Sequence, residues 1–274
     1  MTIAKSPDYR KPPVVEVAIA VQFAPLREMT AAHVGLYWKT IQEVFGKAEE
    51  QAPILPQHEP VSMDDVQGGA GLAFGIGKPP MPRLWFIDSS ETRIIQVQRD
   101  KFIHNWRKMS ETDGYPEFAR IREDFLGHWD GFLRFLKESR LPSPEITQCE
   151  LTYVNRIKEG QGWASMADLG NVFSPFAWRT SGTYLPSPEK VQWAAHFTFP
   201  GQPGRLHVEM VPVRLPPPGN AKTIQLVLTA RGRPEGAIDP KSMNDWFDIA
   251  HEWIVKGFVD LADKKTDALW ERLA

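Results

Sequence analysis

The chain has 274 residues with 32 basic and 34 acidic side chains, a formal net charge of -2. That balance argues against the strongly basic surface that marks most nucleic-acid-binding domains. A single cysteine, Cys149, excludes an internal disulfide framework and a thiolate-rich metal site. No apolar run approaches the roughly 20 residues of a membrane-spanning helix, so nothing in the sequence points to a membrane.

Residues 1–13 are polar, end in Pro12-Pro13, and read as an extended lead-in without the apolar core of a signal peptide. Val14 to Phe23 alternates with period two, placing Val15, Val17, Ile19, Val21 and Phe23 on one face and Glu16, Ala18, Ala20 and Gln22 on the other. Thr30 is placed to cap a helix whose face is Val34, Tyr37, Trp38, Ile41, Val44 and Phe45, and Gly46 with the polar run after it stops that helix. Residues 46–82 read as irregular: six prolines and the glycine cluster at 68–77 interrupt any periodicity. The glycines match neither the P-loop nor the dinucleotide fingerprint, because Pro79 follows Lys78 and Phe74 stands where a third glycine belongs. They are expected in a surface excursion or a flap.

From Arg83 to Arg107 the alternation returns in short runs separated by polar reversals, which predicts an antiparallel meander. A helix over 116–137 follows, with Phe118, Ile121, Phe125, Trp129, Phe132 and Leu136 in one stripe and charges opposite. Pro116 is expected in its first turn, and Gly127 and Gly131 are expected to be packing positions that a neighbouring element approaches. Residues 139–145 read as a linker. The second half predicts a strand over 146–157, with its drier face at Cys149, Leu151, Tyr153 and Asn155, and a short helix from Ala164 to about Leu169. Strands over 191–199, 205–213 and 223–230 come next, and a long helix opens at Asp239-Pro240.

Both halves, 1–140 and 141–274, thus read strand, helix, strands, long helix. The expected fold is α+β: an antiparallel sheet, or two, covered on one side by long helices. The order suggests pseudo-duplication of a β-α-β-β-β-α unit, with the halves either separate or sharing one continuous sheet whose open side can bind something.

Motifs for catalysis are missing. His251-Glu252 starts the zinc pattern HExxH, but Val255 stands at its last position, and no Gly-x-Ser-x-Gly elbow exists. His196 and His207 are placed to face each other across a hairpin with Glu209 nearby, as a polar pair or a metal or acid-base pair. His104 and His128 have no second ligand at useful spacing, and Cys149 reads as a small buried hydrophobe. Arg99, Lys101, Arg107 and Lys108 with Trp106 form a cationic and aromatic cluster in sequence that would suit an anion. Asn105, Tyr153 and Asn155 are polar groups inside apolar strands, which need partners when buried.

Residues 11–23, the segment 96–108 with Tyr115-Pro116, and ELTYVNRI at 150–157 resemble characteristic segments of a sporadically distributed bacterial protein family of uncharacterised function. The terminal helix with His251, Phe258, Thr266 and Trp270 is similar to that family's ending. The resemblance implies that residues 105–107 and 153–155 are family features, and it assigns no activity, cofactor or catalytic residue.

The leading expectation is a soluble, cytoplasmic, non-catalytic protein that binds a small molecule or a protein. Its site is expected at the sheet's open face or between the halves, with Arg99, Asn105, Trp106, Arg107, Tyr153 and Asn155 as participants. No cofactor, metal or membrane is expected, and nucleic acid is disfavoured. Two alternatives stand beside it: an enzyme whose histidines and carboxylates converge only in three dimensions, and a structural component built around homodimerisation.

Overall fold

Val14–Phe23 (β2) and Ile146–Lys158 (β7) lie side by side, antiparallel, with Val17 opposite Tyr153 and Val21 opposite Cys149. This pairing joins the two halves of the chain through backbone hydrogen bonds rather than through side chains alone. The structure, a computed structural model, describes residues 8–59, 81–177, 184–201, 204–215, 221–234, 236 and 238–273.

On one flank of β2 follow Lys101–Arg107 (β6), Arg93–Gln98 (β5), Arg83–Ile87 (β4) and Lys47–Gln51 (β3). On the other flank of β7 follow Lys222–Gly232 (β10), Gly204–Arg214 (β9) and Trp193–Thr198 (β8). Among the described residues these nine strands form one antiparallel sheet. In each half the first long strand pairs with the last of the meander, β2 with β6 and β7 with β10. A separate two-stranded ribbon joins Asp8–Tyr9 (β1) to Arg272–Leu273 (β11), tying the two ends of the described chain together.

Three helices, Ala31–Ile41 (α1), Phe118–Glu138 (α2) and Pro240–Leu261 (α3), bury one face of the sheet. Alternation assigns that face. Val17, Ile19, Val21 and Phe23 of β2 and Leu226, Leu228 and Ala230 of β10 are buried, and they meet the apolar stripes of α2 and α3. The stripe expected for α2 is buried throughout. Phe102 of β6 sits under it, 5.1 Å from the Phe132 ring and 5.4 Å from Trp129. Each such side chain contributes about 1.5–3 kcal/mol by leaving water.

Four local expectations are corrected. The polar run after Gly46, expected to end a helix and begin a loop, is the edge strand β3, paired with β4. Its charged sequence hides the strand from a hydrophobic pattern, and charge is what keeps an exposed edge from pairing with other chains. The α2 helix begins at Phe118, not at Pro116; its N-cap Glu117 has φ 66 and ψ 146, a conformation unusual for a residue with a Cβ. A Cβ at Gly127 would meet nothing within 4 Å, and at Gly131 only the Arg134 side chain at 4.0 Å, so neither glycine admits a close neighbour. The segment expected as a short helix at 164–169 is a 3-10 turn, Met166–Asn171. The glycine cluster at 68–77 lies outside the described residues.

Asp239 caps α3 as its sequence position suggests, its carboxylate accepting from Ser242 N at 2.7 Å. Pro240 occupies the first turn, where a missing N–H costs nothing. Replacing Asp239 by Ala is expected to destabilise the protein by ~1 kcal/mol in chemical denaturation, with Asp239→Asn losing less.

Candidate functional site

The six residues expected to form one site are divided by the sheet. Strand register places Asn105 and Arg107 on the uncovered face, opposite Ala18 and Glu16, while Trp106, Tyr153 and Asn155 point to the helical side. Arg99 belongs to neither: it lies in the β5–β6 reversal, where its Nε donates to Met29 O at 3.1 Å and its carbonyl accepts from Leu26 N. Arg107 donates its Nε to Glu91 O at 2.8 Å. The cationic and aromatic cluster read from sequence therefore does not exist in space. Adjacent residues of a strand point to opposite faces, so consecutive positions cannot share a site.

On the helical side, Trp106 packs edge-on against Tyr115, 5.6 Å between ring centres, and Tyr115 hydrogen-bonds hydroxyl to hydroxyl with Tyr153 at 2.8 Å. Burial pushes both phenols above their ordinary pKa, so both stay protonated. One of the two hydroxyl protons is used in their mutual bond, which leaves the pair a donor to spare. Asn155, 4 % exposed, donates its Nδ2 to Leu226 O at 3.3 Å, and its Oδ1 has no partner among the described residues.

Tyr115, Tyr153 and Asn155, but not Trp106, line a cavity of about 280 Å³ between the lead-in 8–14, the sheet and α3. Its walls are mainly apolar: Tyr9, Pro13, Val14, Leu228, Ile254 and Phe258. His251 of α3 also faces it and lies flat on Phe118, with 4.2 Å between ring centres and 7° between planes. Burial lowers the His251 pKa to about 4, so the imidazole is neutral at pH 7. Asp8 and Glu117 complete the lining. Burial first, and then the neighbouring Asp8, raises the Glu117 pKa. The cavity thus offers neutral hydrogen-bonding groups, an apolar body and two carboxylates. Sequence reading alone missed Glu117 as part of it, and found Tyr115 and His251 only through the resemblance. The unusual φ of Glu117 has no signature in composition.

The uncovered face of the sheet is polar. Gln96 accepts from Arg83 Nη1 at 2.6 Å and from Trp85 Nε1 at 2.9 Å. Its amide donates to Asn105 Oδ1 at 2.6 Å, and Asn105 in turn donates to Glu16 at 2.6 Å. Asn105 is thereby satisfied within the sheet. Further along, Arg231 donates to Glu150 at 2.7 Å and Thr152 meets Thr229 at 3.1 Å. Residues 52–59 run across this face without regular secondary structure, held by Gln22, Gln98 and Gln148. These three glutamines fell on the wetter side of their strands in the sequence, but nothing there revealed that they share a partner.

The remaining histidines form no metal site. His196 and His207 face each other as expected, 4.4 Å between ring centres, yet the carboxylate on His207 is that of Glu59 at 2.7 Å, not Glu209. His104 stacks on His128 at 5.3 Å. Among the described residues no three His, Cys, Asp or Glu side chains converge for a metal ion, and no helix is long and apolar enough to cross a membrane. Cys149 is buried, which pushes its thiol pKa up and keeps it protonated. No protein-family model, curated protein or solved structure shows a match to the chain.

Proposed function

We propose that the protein is a binding protein whose site is the cavity beneath the lead-in, and that it holds a small molecule with an apolar body and an uncharged or cationic polar end. The observation that carries this reading is the open Oδ1 of Asn155 beside the Tyr115–Tyr153 hydroxyl pair, in a cavity whose walls are mainly apolar. An acceptor that opens onto the cavity without a protein partner can take a hydrogen bond from a ligand donor in place of water. The volume of about 280 Å³ lies just below the ~300–1,000 Å³ usual for ligand pockets, which suits a small ligand. Asp8 and Glu117 disfavour an anion there.

Binding is favoured over catalysis by the arrangement of charges. The charged neighbours of His251 are Asp248, Arg122 and Glu252, whereas Glu117 responds to Asp8. Among the described residues no hydrogen bond joins His251 to Glu117 or Asp8, so no preformed proton relay links them. The resemblance to the bacterial family supports the same place, because Tyr115, Tyr153, Asn155 and His251 come from the segments that carry it. A cytoplasmic setting accords with Cys149 held as a buried thiol.

Hexylamine, hexanol and hexanoate separate the head-group preferences at constant chain length. Hexylamine and hexanol should raise the melting temperature in a concentration-dependent manner and hexanoate should not, as expected for ligands that bind only the native state. Ile254→Trp, which fills the cavity, should abolish both shifts. Equal response to all three compounds, or a response that survives Ile254→Trp, rules the site out.

A further inference from the structure

We propose that the uncovered face of the sheet is a groove for an extended acidic polypeptide of a partner protein, and that residues 52–59 occupy that groove in the isolated chain. The groove begins with a row of side chains at one level of four neighbouring strands. Gln98 of β5 is opposite Lys101 of β6, Lys101 is opposite Gln22 of β2, and Gln22 is opposite Gln148 of β7. All four point to the side without helices.

The three glutamines bind main chain. Gln98 accepts from Ile54 N at 3.0 Å and donates to Ile54 O at 2.9 Å. Gln22 accepts from Gln57 N at 3.4 Å. Gln148 donates to Gln57 O at 2.8 Å and accepts from Glu59 N at 2.8 Å. A carboxamide that both donates to and accepts from a backbone imitates the peptide group of an adjacent strand. Apart from Gln22 Nε2, which also meets His58 Nδ1 at 3.3 Å, these contacts hold main chain and are blind to side chains. Pro53 and Pro56 interpose without loss, since the N–H groups used belong to residues 54, 57 and 59.

Two features add selectivity for acid. At one end Glu59 lies between Arg205 and His207, with His207 Nε2 at 2.7 Å, and both basic partners belong to β9. In the middle lies Lys101, 6 % exposed, whose ammonium has no hydrogen bond or ion pair among the described residues. The nearby carboxylates are engaged elsewhere, Glu150 with Arg231 and Asp100 with Gln98. Burial pushes the lysine pKa down, and the carboxylates of Glu150 and Asp100 only partly offset it. The chain's own segment places Leu55 and Pro56 between the residues held by Gln98 and Gln22, so it satisfies the glutamines and leaves the lysine unpaired.

Residues 52–59 are accordingly a weakly matched occupant. Their side chains are largely exposed, Leu55 by 51 %, so little apolar area holds them down. A partner segment with acidic residues in place of Leu55 and Pro56 would keep every backbone contact and add a counter-ion for Lys101. It competes against a tethered segment at an effective concentration on the order of millimolar. The added ion pair, formed on a largely buried lysine, supplies the difference.

Fluorescein-labelled Ala-Pro-Ile-Glu-Glu-Gln-His-Glu and Ala-Pro-Ile-Leu-Pro-Gln-His-Glu serve as probes in anisotropy titrations of the full chain. The acidic peptide should bind about tenfold tighter than the native-sequence peptide, and added salt should narrow the gap. Glu59→Gln weakens the hold of the chain's own segment and should tighten both peptides. Lys101→Gln should remove the preference while leaving the fold intact, because it replaces an unpaired charge. Gln148→Ala should weaken both peptides alike. The absence of saturable binding to the Glu59→Gln chain, or a preference that persists in Lys101→Gln, overturns the proposal.

Discussion

Phe102→Ala should lower the unfolding free energy by ~3–5 kcal/mol. Phe102 is fully buried, and its ring meets Phe125, Trp129 and Phe132 of α2 at 6.3, 5.4 and 5.1 Å. Truncation removes the ring from water-free packing and leaves a cavity between β6 and α2 that helix and sheet can only partly close. It also breaks three ring contacts, and double-mutant cycles on aromatic pairs give roughly 0.5–1.5 kcal/mol each. The readout is the urea midpoint, which should fall with little change in slope. Phe197→Ala provides the contrast: that ring is 42 % exposed on the edge strand β8, and its loss should cost well under half as much. Comparable losses at the two positions would mean that the core does not lie where the structure puts it.

The second large effect is acid lability caused by histidines buried without charge. His104 is 1 % exposed, and burial lowers its pKa to about 3, with the stacked His128 and then Arg93 adding to the shift. Its Nδ1 is buried without a partner. The direction of the pH effect follows from which state takes up the proton. Above about pH 6.5 the imidazole is neutral in both states and contributes no pH dependence. Below that, the unfolded chain binds a proton that the native state refuses until about pH 3, so native stability falls as pH falls through this window. The loss is about 1.4 kcal/mol per pH unit for one such group, on the order of 4 kcal/mol across the window. His251, lowered to about 4, adds a similar loss over the upper part of the same range. His104→Leu, close in volume, should leave stability near pH 7.5 within about 1 kcal/mol of the parent, since it also removes the orphaned Nδ1. At pH 5 the variant should be the more stable chain by about 2 kcal/mol. Parallel stability curves from pH 7.5 to 5 would show that His104 is not held neutral.

Glu59 works in the opposite sense to a histidine. Burial favours its neutral form, but hydrogen bonds from His207 and Arg205 outweigh burial and hold the carboxyl below the ordinary range. The stabilisation it gives is present above the unfolded pKa and is lost as pH falls through the folded one. Acid therefore loosens the hold on residues 52–59 and the core together, which is why the peptide titrations belong near neutral pH.

The sequence by itself determined the elements whose periodicity is carried by apolar side chains: β2, the meander of β4 to β6, β7, the stripe of α2 and the capped start of α3. It determined the two faces of β2 and β7 as well, including the dry face of β7, because alternation in a strand is a local property. It left β3 unseen, since a charged edge strand has no apolar pattern. Only the tertiary structure decided which strands adjoin. The β2–β7 pairing merges the halves into one sheet and brings Gln22 beside Gln148, and the β1–β11 ribbon brings the lead-in over Tyr153 and His251. Such contacts join residues more than a hundred positions apart, and nothing within either segment encodes its partner's position. Alternation within β6 already splits Asn105 and Arg107 from Trp106, and the pairing puts Tyr153 and Asn155 on the side of Trp106, because one register fixes at once which side of the sheet every residue faces.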